Sequence, residues 1–478
     1  MTTNRDIESF IKEFVKDLAE NNVAVFAGAG MSKSAGYVNW SELLRDIADE
    51  LGLSVDKEHD LISLAQYHVN EHRGKGRINK KILEEFADEA EASENHKILA
   101  RLPITTFWTT NYDTLIEDSL KASNKVVDVK HQIKQLANTR PKRDVVIYKM
   151  HGDVHHPADA ILTKEQYESY YKTHEHFITA LSGDLISKTF LFIGFSFTDP
   201  NLDYVLSRLN IQFGENNRQH YCFIKKQSKG KDDEDMFKYN LRKQELMIND
   251  LKRYKIKALL VDEYFDITEI LKEIERRYRK KTVFISGSAE EYGAWNRNEA
   301  QSFIHSLSKS IVSSGFRIVN GFGWGVGSAI INGALEAVYE RPDRYSEDQL
   351  IMRPFPQFET GDKKLQELWE EYRQRMISLA GIALFIYGNK SDGKGKIISA
   401  NGVKREFEIA VSQGLIPVPI AATGYISEEI FFAILKEPEK YYKEIDWIIP
   451  IIKELASDKL SAEEIIKRVV TIIQTINK

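Results

Sequence analysis

The chain has 478 residues, 42% hydrophobic and 29% charged, with 66 Lys+Arg against 71 Asp+Glu and a single cysteine. At roughly 100–200 residues per domain that length predicts two to four domains, and the mixture excludes disordered and collagen-like chains. A net charge of −5 gives no reason to expect nucleic acid or a membrane as partner, and one cysteine excludes an intramolecular disulfide and any zinc site needing two or more thiolates.

The opening residues MTTNRDIESF lack the basic-then-apolar order of a secretory signal, and no stretch approaches the roughly 20 apolar residues of a membrane span. A reduced, cytoplasmic protein is expected. Ile7, Phe10, Ile11, Phe14, Val15 and Leu18 recur on one helical face that ends at Asn21-Asn22. Short apolar runs at 23–27, 104–110, 145–150, 189–195, 221–224 and 257–261 read as buried parallel strands, separated by polar stretches of helical periodicity, especially 40–102. The charged segment KKQSKGKDDED at 225–235 reads as a surface loop. After the basic stretch 274–281 the pattern restarts, with strand-like runs at 282–288, 316–321, 382–388 and 415–421. These alternations predict an α/β fold of two domains, 1–281 and 282–478, each a Rossmann-like parallel sheet, the first with a helical insertion.

Four strand ends of the first half carry the chemistry. Gly28-Ala29-Gly30-Met31-Ser32 follows the first strand, where glycine admits a pyrophosphate and the amides of a helix start bind its charge. Thr110-Asn111-Tyr112-Asp113 and His151-Gly152-Asp153 follow the next two, and Gly194-Phe195-Ser196-Phe197-Thr198-Asp199-Pro200-Asn201 the fourth. Singly, each reads as a packing turn, a helix cap or a structural histidine. Together they fall where open α/β sheets bind ligands, outside the carboxyl ends of strands.

In this order, GAGMS, TNYD, HGD and GFSFTDPN resemble the NAD-binding signatures of sirtuins over about residues 20–270. The resemblance implies Asn111 and His151 as catalytic pair, with Gly28, Ala29, Gly30, Ser32, Asp113, Gly194, Ser196 and Asn201 around NAD+. Two features depart from the sirtuin deacylases: the lone Cys222 cannot supply their four-cysteine zinc site, and SAGYVNW at 34–40 stands where they have an Asp-Phe-Arg stretch. No metal is expected, and water becomes the simplest acceptor for the ADP-ribosyl group.

In the second half Ser286-Gly287-Ser288 ends one strand, and Gly321, Gly323, Gly325 and Gly327 alternate after another before a helical stretch. That is again a strand, a phosphate-binding loop and a helix. The segment at 388–394 matches G-x-x-x-x-G-K, but Gly395 stands where a Walker A loop needs Ser or Thr for Mg²⁺, so ATP hydrolysis is not expected. Arg373 and Lys390 suit phosphates and Glu406 a ribose hydroxyl. This half resembles SLOG nucleotide sensors. The sirtuin-like then SLOG order, with GFSFTDPNLDY and NGFGWGVGS, is similar to the NADase effectors of the Thoeris antiphage system.

That resemblance implies a homo-oligomer, a tetramer or larger, whose NAD+ hydrolysis is released when a cyclic ADP-ribose isomer, made by a TIR-domain protein, binds the second domain. NAD+ is then substrate, not cofactor, and its depletion aborts the infection. By motif, Gly287, Ser288, Gly323, Gly325, Arg373, Lys390 and Glu406 would meet the signal. A zinc-free deacylase or ADP-ribosyltransferase, and a non-catalytic nucleotide sensor, are the rival readings. Free ADP-ribose as product separates the first, and the presence of both Asn111 and His151 speaks against the second.

Overall fold

The computed structural model describes residues 5–58, 60–86, 90–230, 233–359 and 361–478. The chain divides into two compact units, Met1–Glu275 and Arg276–Lys478.

The first unit is built on a seven-stranded parallel sheet: β1 (Val23–Ala27), β2 (Thr106–Thr109), β3 (Val127–Lys130), β4 (Val145–Lys149), β5 (Thr189–Ile193), β6 (His220–Lys225) and β7 (Ile256–Val261). Their order across the sheet is β3-β4-β2-β1-β5-β6-β7. Every residue of β1 and β5 is buried, which explains their unbroken apolar runs. The helix Arg5–Ala19 buries Phe10, Ile11, Phe14, Val15 and Leu18, the face that its spacing predicts. Between β1 and β2 lie the expected helices, among them Arg45–Glu50, Leu61–His72, Gly76–Glu85 and Glu94–Arg101. Strand order reverses at β1, which pairs with β2 on one side and β5 on the other, and such a reversal opens a crevice at the carboxyl edge.

All six strands read from the first half are present; β3, at the edge, is additional. The 225–235 stretch begins in β6 at Lys225 and is helical from Glu234, in the helix Glu234–Arg253, with residues 231 and 232 outside the described residues.

The second unit has a five-stranded parallel sheet ordered β10-β9-β8-β11-β14, from β8 (Thr282–Ser288), β9 (Arg317–Asn320), β10 (Leu350–Met352), β11 (Ile382–Tyr387) and β14 (Ile416–Pro419). Here the reversal falls at β8, between β9 and β11. A two-stranded antiparallel hairpin, β12 (Asn389–Ser391) and β13 (Ile397–Ser399), follows β11. The Walker-like segment is therefore a hairpin, not a phosphate loop opening a helix. Among the described residues no helix is long and apolar enough to cross a membrane.

Candidate functional site

The four strand ends singled out in the first half belong to four adjacent strands, β4-β2-β1-β5. β2 and β4 pair with Thr109 opposite Lys149, so Asn111 and His151 each stand two residues beyond a matched pair. Loop closure between β1 and β5 depends on small residues. A Cβ on Gly194, whose φ is +64°, would lie 2.2 Å from the Met31 amide nitrogen, and one on Gly28 would lie 2.4 Å from the Gly194 carbonyl. Main-chain bonds from Gly28 to Ile193 (2.9 Å) and from Gly30 to Gly194 (2.9 Å) hold the two loops together. Ala29 opens the short helix Ala29–Lys33, which Gly28 caps and which carries Ser32 inward.

Ser32, Asn111 and Asp113 form one hydrogen-bonded chain. The Ser32 hydroxyl donates to Asp113 Oδ2 at 2.7 Å, and Asn111 Nδ2 donates to Ser32 Oγ at 3.0 Å. Asp113 Oδ1 accepts from the Leu115 amide at 3.1 Å. A serine has one proton, and here it goes to the carboxylate, so Ser32 accepts from Asn111. That fixes which way the amide faces and turns Asn111 Oδ1 away from Ser32 as an acceptor. The loop is seated by Thr109 Oγ1, which accepts from the Asn111 amide (3.0 Å) and donates to Ala27 O (2.9 Å).

His151 is 4% exposed. Its Nδ1 lies 3.3 Å from the Tyr167 hydroxyl and its Nε2 3.3 Å from Asp199 Oδ2, with Tyr167 and Tyr170 presenting edges to the ring. Burial lowers its pKa and the Asp199 charge opposes this only in part, so the imidazole is neutral at pH 7. Asp199 also caps the helix Pro200–Phe213, accepting from the Asn201 (2.9 Å) and Leu202 (3.0 Å) amides. Asn201 is buried, and its Nδ2 has no hydrogen-bond partner among the described residues. Ser196 is exposed, its hydroxyl 2.8 Å from Thr198 Oγ1.

Sequence reasoning missed Asp199, Tyr167 and Lys149. A lysine at the end of an apolar strand was the available signal for the last, and Asp199 lay within a quoted motif.

The second unit holds a cavity of about 330 Å³ at the carboxyl end of its sheet, lined by Gly287, Ser288, Gly323, Arg373, Lys390 and Glu406 of the predicted set. Gly323 permits a close approach, since a Cβ there would lie 2.0 Å from the Gly287 carbonyl. Gly325 is not among the lining residues; its carbonyl accepts from Tyr292 Oη (2.8 Å) and Gln301 Nε2 (2.6 Å). Glu406 takes a hydrogen bond from Ser286 Oγ at 2.5 Å and faces Arg373 Nε at 3.7 Å. Burial holds its carboxyl above the usual range, against the pull of Ser286 and Arg373. The buried Arg373 Nε has no hydrogen-bond partner among the described residues, and the guanidinium lies 5.0 Å from the centre of the Phe355 ring. Phe355, with the half-exposed Phe322 and the 70%-exposed Trp324, forms an aromatic wall that sequence reasoning did not anticipate. Lys390 reaches the cavity from the hairpin strand β12.

A sirtuin-type zinc does not fit this chain. Cys222 is buried in β6, its thiol pushed up to about 12 by burial. Among the described residues the one close group of three potential ligands is Glu50, His68 and His72. Arg77 Nη1 already occupies it, 2.9 Å from Glu50 Oε2 and 3.3 Å from His72 Nε2.

Two family models match the chain, one after the other. A family model described as a SIR2-like domain matches residues 105–246, and one described as the Sir2- and TIR-associating SLOG family matches residues 266–476. The chain is 51% identical over 480 residues to the NAD(+) hydrolase ThsA of Bacillus cereus (strain MSX-D12), covering 100% of both chains. It is 47% identical over 477 residues to the NAD(+) hydrolase ThsA of Cytobacillus dafuensis, covering 98% of this chain and 96% of that one. It is 48% identical over 439 residues to the NAD(+) hydrolase ThsA of Acinetobacter baumannii (strain 532279), covering 90% and 91%.

Proposed function

Because the chain belongs to the ThsA family, a SIR2-like domain followed by a SLOG domain, we propose that it hydrolyses NAD+ to nicotinamide and ADP-ribose, and that a cyclic ADP-ribose isomer made by a TIR-domain protein switches it on. The observation that carries the catalytic half is the fixed Asn111–Ser32–Asp113 chain beside a buried, neutral His151 at the end of the neighbouring strand.

Breaking the bond between ribose C1′ and the nicotinamide nitrogen leaves positive charge on the ribose, as in oxocarbenium-like glycoside cleavage. Nicotinamide departs neutral from a cationic precursor, so no strong acid is needed. Asn111 Oδ1 orients a ribose hydroxyl or the attacking water. His151 takes the proton as the water oxygen bonds C1′, giving nicotinamide, ADP-ribose and one proton. Gly28, Ala29, Gly30 and Gly194 bring main chain to the dinucleotide, and the unsatisfied Asn201 Nδ2 is a donor to it.

The second cavity suits a phosphorylated nucleotide. Arg373 and Lys390 offer charge-assisted bonds to phosphates, Glu406 a ribose contact, and the aromatic wall a stacking surface. Gating requires that the signal bind the active state more tightly than the resting one. NAD+ is consumed as substrate, in the cytoplasm and in a homo-oligomer, and its exhaustion stops an infected cell from supporting phage.

Incubating the purified full chain with NAD+ and an acyl-lysine peptide, with cyclic ADP-ribose isomers added, tests the reaction class. Free ADP-ribose in step with nicotinamide is expected; acyl-ADP-ribose as main product would overturn the hydrolase reading.

A further inference from the structure

One buried cation lies between the two loops of the first site. Lys149, the last residue of β4, is 0% exposed. Its Nζ meets four oxygens: the main-chain carbonyls of Tyr112 (2.9 Å) and Asp113 (2.6 Å), Glu117 Oε1 (3.0 Å) and Asp153 Oδ2 (2.6 Å). The carbonyls belong to the loop that carries Asn111, and Asp153 to the loop that carries His151. The Tyr112 carbonyl also accepts from the Val154 amide at 3.0 Å, and the Tyr112 hydroxyl donates to Ile161 O (3.0 Å), next to the Ile161 amide that donates to His151 O (2.9 Å).

A buried ion pair by itself is a weak source of stability, because apolar residues of similar volume often serve as well or better. Charge neutralisation needs one carboxylate, which Asp153 supplies, while burial pushes the Glu117 carboxyl up. It does not need the carbonyls of Tyr112 and Asp113. Those two bonds set the backbone directly after Asn111, while Asp153 sets the backbone two residues after His151, and one ammonium holds both. Burial alone would lower the Lys149 pKa, but Glu117 and Asp153 outweigh it and keep the side chain charged. Burial would likewise raise Asp153, and the Lys149 charge brings it below the usual range, so both partners are ionised.

We infer that Lys149 is a positioning residue for the proposed NAD+ hydrolysis, locking the Asn111 and His151 loops in mutual register at the adjacent ends of β2 and β4. The inference rests on the reading that this pair acts on NAD+. A shift of about 1 Å in such a pair costs on the order of 10²-fold in rate.

Two variants of the full chain separate positioning from charge balance. Lys149→Met removes the ammonium, and the triple variant Lys149→Met, Glu117→Gln, Asp153→Asn also removes the carboxylates it leaves uncompensated. In Lys149→Met, kcat falls ~10²-fold, KM for NAD+ changes far less, and amide hydrogen exchange accelerates at 111–115 and 151–154. The triple variant regains most of the melting temperature but neither kcat nor exchange protection in those segments. Recovery of kcat together with melting temperature would overturn the inference, since Lys149 would then only neutralise its neighbours. If Lys149→Met does not fold, the triple variant decides by the same outcomes. If the wild-type chain releases no nicotinamide with or without cyclic ADP-ribose isomers present, the hydrolase reading fails on its own, and exchange still decides the positioning: unchanged protection at both segments overturns it.

Discussion

The two units place glycine-punctuated loops at the carboxyl edge of a parallel sheet, yet finish their sites in opposite ways. In the first unit the polar groups are already bonded to one another, Asn111 to Ser32 to Asp113, with His151 buried and neutral beside them. In the second, charged groups face a cavity with their bonding incomplete: Arg373 Nε lacks a hydrogen bond among the described residues, and Glu406 is held above the usual carboxyl range by burial. A site that does chemistry gains from groups fixed before the substrate arrives. A site that senses gains from groups whose satisfaction depends on the ligand, because that difference is the free energy available to shift a two-state equilibrium. The loops are alike; the proposed division of labour rests on the side chains around them.

The contrast is broken hardest at the proposed catalytic pair. Asn111→Ala and His151→Ala are each expected to lower NAD+ loss by ~10³-fold without unfolding the chain, read as nicotinamide release alongside the circular dichroism melt. Normal NAD+ consumption by either would remove the assignment. In the second unit, Arg373→Ala is expected to weaken binding of the proposed activator, a cyclic ADP-ribose isomer, by about 10²-fold, the worth of lost bonds from a charged donor, measured by titration calorimetry. Unchanged affinity would move the signal elsewhere. Ser32→Ala frees the Asn111 amide to turn while leaving it in place, and a ~10-fold drop in kcat is expected, of the order of one hydrogen bond's net worth.

The smallest effect is on pH dependence. Burial keeps His151 neutral to below its ordinary pKa of about 6.5, so the acid limb of kcat/KM falls below that pH, not at it. His96 and His220, also in the first unit, are pushed down by burial to about 4 and about 3. The unfolded chain binds those protons near pH 6.5, so their contribution is present above that pH and is lost as pH falls toward about 4 and 3. Of the 12 histidines only His305 lies in the second unit, while each unit has a buried carboxyl with a raised pKa that gains on acidification, Glu117 in the first and Glu406 in the second, so the histidines make the difference. Between pH 7 and 5 hydrogen exchange is therefore expected to show the first unit losing more stability than the second; equal losses would contradict the difference.

The strands legible in the sequence were those with apolar runs, from the fully buried β1 and β5 to the half-buried edge strand β7. β3 escaped because Asp128 and Lys130 interrupt its pattern, and the structure pairs them with each other at 2.9 Å and Asp128 with Arg143 at 3.0 Å. β10 escaped because three residues at a sheet edge carry no period. The hairpin β12–β13 was hidden behind its likeness to a phosphate loop. Motif order brought together Ser32, Asn111, Asp113 and His151 at one site and most of the cavity residues at the other. It did not reach Lys149, whose meaning lies in carbonyls more than 30 residues away in the chain, nor the Phe355 wall, which comes from a loop without periodicity.

Nicotinamide release from NAD+ by the purified full chain, followed while cyclic ADP-ribose isomers are titrated in, tests the central claim most directly. One isomer is expected to raise the rate strongly in the wild type, with the Arg373→Ala variant needing about 10²-fold more of it. Identical release with and without every isomer would contradict a signal-gated hydrolase.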